Sequence, residues 1–121
     1  MQLKYRIKKT SEIDAVFKKR NTVGNMFFVI YIKKQDEFNH FRFSLSIGKK
    51  YGKAHERNLI KRRIREVIRF YKEEISTDVE FVIVIKPKAR ELTFAEIKEN
   101  LEKLMIRSKL IVRKEIEDEK L

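Results

Sequence analysis

Residues 48–72 read GKKYGKAHERNLIKRRIREVIRFYK. Ten Lys or Arg stand there against two Glu, roughly two-thirds of the net charge of +12 carried by the whole chain. Wound as a helix over 54–71 at 100° per residue, the stretch separates into two sides. Ile60, Ile64, Val67, Ile68 and Tyr71 fall along one. Asn58, Lys61, Arg62, Arg65, Arg69 and Lys72 fall on the opposite one, with Arg57 and Arg63 at the margins. A helix that is apolar on one flank and cationic on the other is suited to dock on a core and face a polyanion.

The flanks decide what that core is. Upstream, 26–33 (MFFVIYIK) is a nearly continuous apolar and β-branched run, the pattern of a strand. After a polar turn over 34–40, residues 41–47 alternate, with Phe41, Phe43, Leu45 and Ile47 on one face and Arg42, Ser44 and Ser46 on the other. Two such runs with a short polar connection predict an antiparallel hairpin, and the Ser/Arg face is one that stays uncovered to receive a ligand. Downstream, 79–86 (VEFVIVIK) is a third strand, ended by Pro87, which cannot continue a ladder. Thr93 and Glu96 form a capping box for a last helix with Phe94, Ile97, Leu101, Leu104 and Met105 as its stripe. Beyond it, Leu110, Ile111 and Val112 suit either a short edge strand or a helix extension.

At the other end, residues 1–10 are a basic arm with no helical stripe, expected to be extended and to order on RNA or against the domain. Ser11 and Asp14 resemble a capping box opening a helix to about residue 20, with Ile13, Val16 and Phe17 as its apolar stripe. Residues 21–25, with Gly24, break it. The order is α-β-β-α-β-α, an α+β sandwich of helices packed on one sheet. A parallel 41–47 and 79–86 pair would make the basic helix a crossover, ordinarily right-handed.

Composition bounds the chemistry. At 121 residues the chain is one domain over 1–121, and the acidic end 113–121 is expected to fray. With 42% hydrophobic and 40% charged residues it folds under self-repulsion. Its surplus of cations suits a phosphate-bearing partner, because neutralised phosphates release counterions. No cysteine is present, which excludes disulfides, thiolate metal sites and thiol nucleophiles. The basic start has no apolar run behind it, and nothing approaches the ~18 apolar residues of a membrane span. The cytoplasm is the default expectation.

GKKYGKAHERNLIKRRIRE resembles the signature of the bacterial ribonuclease P protein subunit family: a strand running into Lys-Lys-x-Gly-x-Ala, then Arg-Asn, then Lys-Arg and a further Arg. The resemblance extends to the short N-terminal helix with Phe17, to Arg42-Phe43-Ser44-Leu45-Ser46, to the strand closing on Lys-Pro and to the Thr-capped last helix. Leu59 stands where the family usually has a second Arg, and Ile13 where an aromatic is often found. The resemblance implies a ribosomal-protein-S5 domain-2-like fold with a left-handed strand-helix-strand crossover. It also implies a partner RNA, the ribonuclease P RNA, which itself hydrolyses precursor tRNA with Mg²⁺ to release the 5′ leader. The protein would help bind the leader and support metal affinity.

Such a protein needs two surfaces. Lys49, Lys50, Lys53, Arg57, Asn58, Lys61, Arg62, Arg65 and Arg69 suit a docking face for folded RNA, since arginine forks hold phosphate bidentately. Gly48 and Gly52 let the backbone turn into the helix. A second surface must accept the unpaired leader, through side chains on which bases stack in a basic groove. Ile13 and Phe17, Tyr31, and Arg42 and Ser46 are its candidates, while Phe27 and Phe43 are left to the core. His40 and His55 have no nucleophile or carboxylate at a productive spacing, so no protein catalytic residue is assigned. The acidic residues show no metal-ligand pattern, and Mg²⁺ is expected on RNA phosphates and water. The alternative is a ribosomal or RNA-chaperone protein without a role in cleavage. A membrane-surface helix is disfavoured because its apolar side is needed on the sheet.

Overall fold

The run VEFVIVI organises the sheet because it is apolar on both sides. In the structure, a computed structural model that describes residues 2–111, this strand, Val79–Ile85, is buried along almost its whole length. Such a strand needs neighbours on both edges and cover on both faces. It obtains them from Phe28–Lys34 on one side, antiparallel, and Arg42–Ile47 on the other, parallel. In chain order the strands are β1 (Thr22–Gly24), β2 (Phe28–Lys34), β3 (Arg42–Ile47) and β4 (Val79–Ile85), and their order in the sheet is β1-β2-β4-β3.

The expected hairpin between β2 and β3 is therefore not formed: β4 lies between them. The connection over residues 35–41 crosses the start of β4 instead, and Gln35 organises it. Its amide donates to Asp78 O at 2.9 Å, and its Nε2 donates to the carbonyls of Phe38, His40 and Thr77 at 3.0–3.1 Å. Residues 21–25, expected to be only a break, contain the edge strand β1, which pairs antiparallel with β2. Asn25 makes the turn between them, accepting from the amides of Phe27 (2.8 Å) and Phe28 (3.0 Å) through its side chain.

Three helices complete the fold: α1 (Thr10–Lys18), α2 (Ala54–Phe70) and α3 (Phe94–Arg107). The basic stretch forms α2 as its periodicity requires. Ile60, Ile64, Val67, Ile68 and Tyr71 are all buried against the sheet and α3. At about 1.5–3 kcal/mol per buried aliphatic side chain, this face anchors the helix against the repulsion of its charges. α3 opens on the expected capping box: Glu96 N donates to Thr93 Oγ1 (3.2 Å) and Thr93 N to Glu96 Oε1 (2.9 Å). Ile97, Leu101, Leu104 and Met105 are buried, whereas Phe94, expected in that stripe, is 42% exposed at the helix start. After α3, Ile111 bridges antiparallel to Ile75, so the chain leaves the helix rather than extending it.

α1 packs on the opposite face of the sheet, over β2 and β4, with Val16 against Val82 and Ile7. The expected Ser11/Asp14 capping box is absent. The helix already includes Thr10, its N-cap is Lys9, and Ser11 lies inside the first turn. The basic arm is ordered against the domain: Tyr5 and Ile7 are buried, and Ile7 N donates to Phe43 O at 2.9 Å along the outer edge of β3. Val112 and the acidic end 113–121, expected to fray, lie outside the described residues.

Candidate nucleic-acid interface

The approach to α2 fixes where its cations point. Gly48 leads into a 3-10 turn, Lys49–Tyr51, whose Tyr51 is buried and so holds the chain down. Burial pushes the Tyr51 hydroxyl above its ordinary pKa, although Arg90 and Arg63 oppose this. Gly52 then adopts φ 157°, ψ −162°, a conformation that favours glycine. Lys53, the N-cap, has no side-chain acceptor, so the helix start is satisfied from the third helical residue: Glu56 Oε1 accepts Lys53 N at 2.8 Å. That bond is the main reason the Glu56 carboxyl lies below its usual range.

From this start the predicted docking residues fan out. Lys49, Lys50, Lys53, Asn58, Arg62 and Arg69 are exposed, and Arg57, Lys61 and Arg65 are half-buried. Arg57 is partly spent on the fold, donating to Gly52 O at 2.6 Å. Arg69 pairs with Glu66 one turn back at 3.1 Å, an exposed pair of little worth. Arg63 turns the other way, into a cavity of about 260 Å³ shared with Tyr51, Leu59 and Arg90. Leu59 at its rim is 38% exposed, an apolar side chain beside the cationic face. The outward face is thus cationic and open along its length.

The predicted second surface is assembled on the α1 side of the sheet. Phe17 and Tyr31 meet edge to face, ring centroids 4.8 Å apart, and with Ile13 they are partly exposed over the small core under α1. The register places Tyr31 and Ser44 on either side of Val82, and Ser46 beside Val84. The serine face of β3 is therefore flanked by α1, not bare, and Ser44 and Ser46 are half-buried beside it. Ile13, Phe17, Tyr31 and Ser46 share this face.

Arg42 is on the same face but is not free. It is 9% exposed; its Nε donates to Glu80 Oε2 at 2.9 Å and its Nη2 to Glu12 Oε2 at 2.6 Å. Burial works against its charge, yet the hydrogen bonds and fields of Glu12 and Glu80 outweigh that and raise its pKa. Conversely, the Arg42 hydrogen bond holds the Glu12 carboxyl below its usual range. The Phe38 ring lies under the guanidinium, 4.3 Å from centroid to Cζ. Arg42 therefore ties α1 to β3 and β4 and sets the position of Phe17.

Sequence reasoning missed Glu12 and Glu80 as its partners. A signal existed: Glu80 is the one charge inside an otherwise apolar strand, and such a charge needs a partner. Among the described residues no three His, Cys, Asp or Glu gather as a metal site. No helix among them is long and apolar enough to cross a membrane.

The comparisons agree with this fold. The family model described as Ribonuclease P matches residues 1–109. A ribonuclease P protein component from Phytoplasma australiense is 50% identical over 112 residues, 93% of this chain and 97% of that protein. One from Acholeplasma laidlawii is 46% identical over 92% of this chain and 95% of its own length. The solved Staphylococcus aureus RNase P protein superposes with a TM-score of 0.84 at 34% identity, covering 89% of this chain and 98% of that one. The Thermotoga maritima RNase P protein in complex with 1-(4-fluorophenyl)-2-thiourea gives 0.77 at 27% identity, over 84% and 98%.

Proposed function

The chain belongs to the ribonuclease P protein family, and from that premise we propose that it binds the 5′ leader of precursor tRNA while docked on the ribonuclease P RNA. Membership makes it a component of ribonuclease P, with that RNA as its partner. The division of labour between the two is the proposal: hydrolysis at the leader junction is carried out by the RNA with Mg²⁺, and the protein positions the substrate.

The observation that carries it is the placement of two different surfaces on opposite sides of one sheet. α2 lies over one face with its cations outward, suited to phosphates, which position without specifying. α1 lies over the other, where the Phe17–Tyr31 pair offers partly exposed rings beside Ser46, suited to unpaired bases. A leader threaded past α1 would remain separate from the RNA docked on α2.

Mixing the protein with its ribonuclease P RNA and precursor tRNA at low Mg²⁺ tests this. Cleavage and precursor affinity should both rise relative to RNA alone. If neither rises, the protein is a structured-RNA binder of the ribosomal or chaperone kind.

A further inference from the structure

α2 carries a third stripe besides its buried side and its outward cations. At about 100° per residue, Leu59, Arg63, Glu66 and Phe70 fall within about 60° of one another, between the other two stripes. This flank borders α3. Leu59 shares its cavity with Leu92 and Ile97 near the start of that helix, and Lys98 Nζ lies 3.6 Å from the centroid of the Phe70 ring. Among the described residues five large apolar side chains are exposed, and three of them, Leu59, Phe70 and Phe94, belong to α2 and α3. Phe70 is the most exposed of the five, at 64% despite its lysine neighbour.

Single apolar side chains at a surface need no explanation, but several on one flank mark a contact surface. Charge also sets the stripe apart. One Arg and one Glu balance within it, whereas the whole chain carries +12. Arg63 has no ion-pair partner among the described residues, and Glu66 has Arg69, an exposed pair that exchanges at little cost. A phosphate backbone is repelled by Glu66 and gains nothing from Leu59.

The order of residues along the stripe is self-complementary: apolar, cation, anion, apolar. Set antiparallel to a copy of itself, it brings Leu59 against Phe70 and Arg63 against Glu66, each twice by symmetry. Both pairs share one midpoint, between residues 64 and 65, so a single two-fold axis across α2 satisfies them together. Leu59 and Phe70 stand about 16 Å apart along the helix, and Arg63 and Glu66 about 4.5 Å. The ion pairs therefore fall at the centre of such a contact and the apolar pairs at its two ends.

We infer that this flank of α2 is the interface of a symmetric dimer of the protein, with two α2 helices crossing antiparallel near residues 64–65. The contact leaves the outward cations of both copies uncovered, so it goes beyond the RNA-binding reading and does not rest on it. Net charge opposes it, because two chains of +12 repel, and the association is measured where salt screens that repulsion.

Sedimentation equilibrium of the full chain at about 0.3 M NaCl, where the screening length is under ~8 Å, provides the test. The apparent mass should rise with protein concentration toward that of two chains. Phe70→Gln should weaken the dimer about tenfold or more, since it removes the apolar pair at each end. Arg63→Glu and, separately, Glu66→Arg should each weaken it by about tenfold or more, because each sets like charges opposite one another twice. Arg63→Glu combined with Glu66→Arg should restore wild-type association, since exchanging both members keeps every pair. Circular dichroism checks folding, and Glu66→Arg, at an exposed position, carries the test should Arg63→Glu disturb the cavity around Tyr51.

A single-chain mass at every concentration up to about 1 mM overturns the dimer. An association that Phe70→Gln leaves intact, or a double variant no better than its single parents, overturns this interface, because the copies then meet elsewhere. Phe70→Gln should also bind ribonuclease P RNA as wild type does. A loss there, with the chain monomeric, would mean that RNA and not a second copy covers the flank.

Discussion

Arg42 and Glu80 stand opposite each other on the parallel strands β3 and β4, and the arginine Nε donates to the glutamate at 2.9 Å with both residues under 10% exposed. The same guanidinium reaches Glu12 on α1, so one side chain joins three elements. A charge pair so deeply placed adds little over an apolar pair of equal volume, but losing one partner leaves the other stranded. It also determines how α1, and with it Phe17, sits on the sheet.

Arg42→Met should therefore destabilise the protein by about 3–5 kcal/mol in urea unfolding. Adding Glu80→Leu should recover most of that loss, because the stranded carboxylate is removed with its partner. A single-variant loss below about 1 kcal/mol would mean that water reaches the pair.

The pH dependence follows from Glu12. Its folded pKa lies below the ordinary value of 4.5, so its contribution to stability is complete above that value and is lost as pH falls through the folded pKa. Urea midpoints should show wild type exceeding Glu12→Gln at neutral pH and the difference shrinking below pH 4.5. A constant difference across that range would disconnect Glu12 from Arg42.

Phe17→Ala should cost about 1–3 kcal/mol of precursor affinity and much less for mature tRNA, because only the precursor brings unpaired bases to the ring. The measurement is binding of both RNAs to the reconstituted holoenzyme. Equal losses would show that Phe17 serves only to pack on Tyr31.

Arg62→Ala combined with Arg65→Ala should weaken binding to ribonuclease P RNA and flatten the plot of log affinity against log salt by about two units at most. An unchanged slope would mean that this side of α2 does not meet phosphates.

Gly52→Ala places a Cβ 2.7 Å from Glu56 Oε1, in a backbone conformation that side chains rarely adopt. Glu56 must swing away and release the Lys53 amide. The expected loss is about 1–3 kcal/mol in thermal or urea unfolding, with hydrogen exchange accelerating at the first turn of α2. Unaltered exchange there would separate Gly52 from the helix start.

Local pattern was enough for the elements that bury one face. The 3.6-residue stripe of α2, the alternation of β3, the apolar run of β4 and the Thr93/Glu96 box each encode their structure within a dozen residues, and the cationic face of α2 was legible for the same reason. The short strand β1 was not, because three residues owe their form to pairing with β2 and to Asn25, not to their own pattern.

Sequence by itself determined which side chains are greasy, which are charged and at what period, and hence that a cationic helix rides on a sheet. Tertiary structure alone decided strand order, because a strand apolar on both faces takes the centre at the expense of a local hairpin. It also decided the fate of each cation. Arg42 is neutralised by carboxylates 30 and 38 residues distant in the chain, while Arg6 meets Lys61 and Arg65 with no carboxylate between them. Charge is written in the sequence, but whether it is compensated depends on which distant groups the fold brings within a few ångströms.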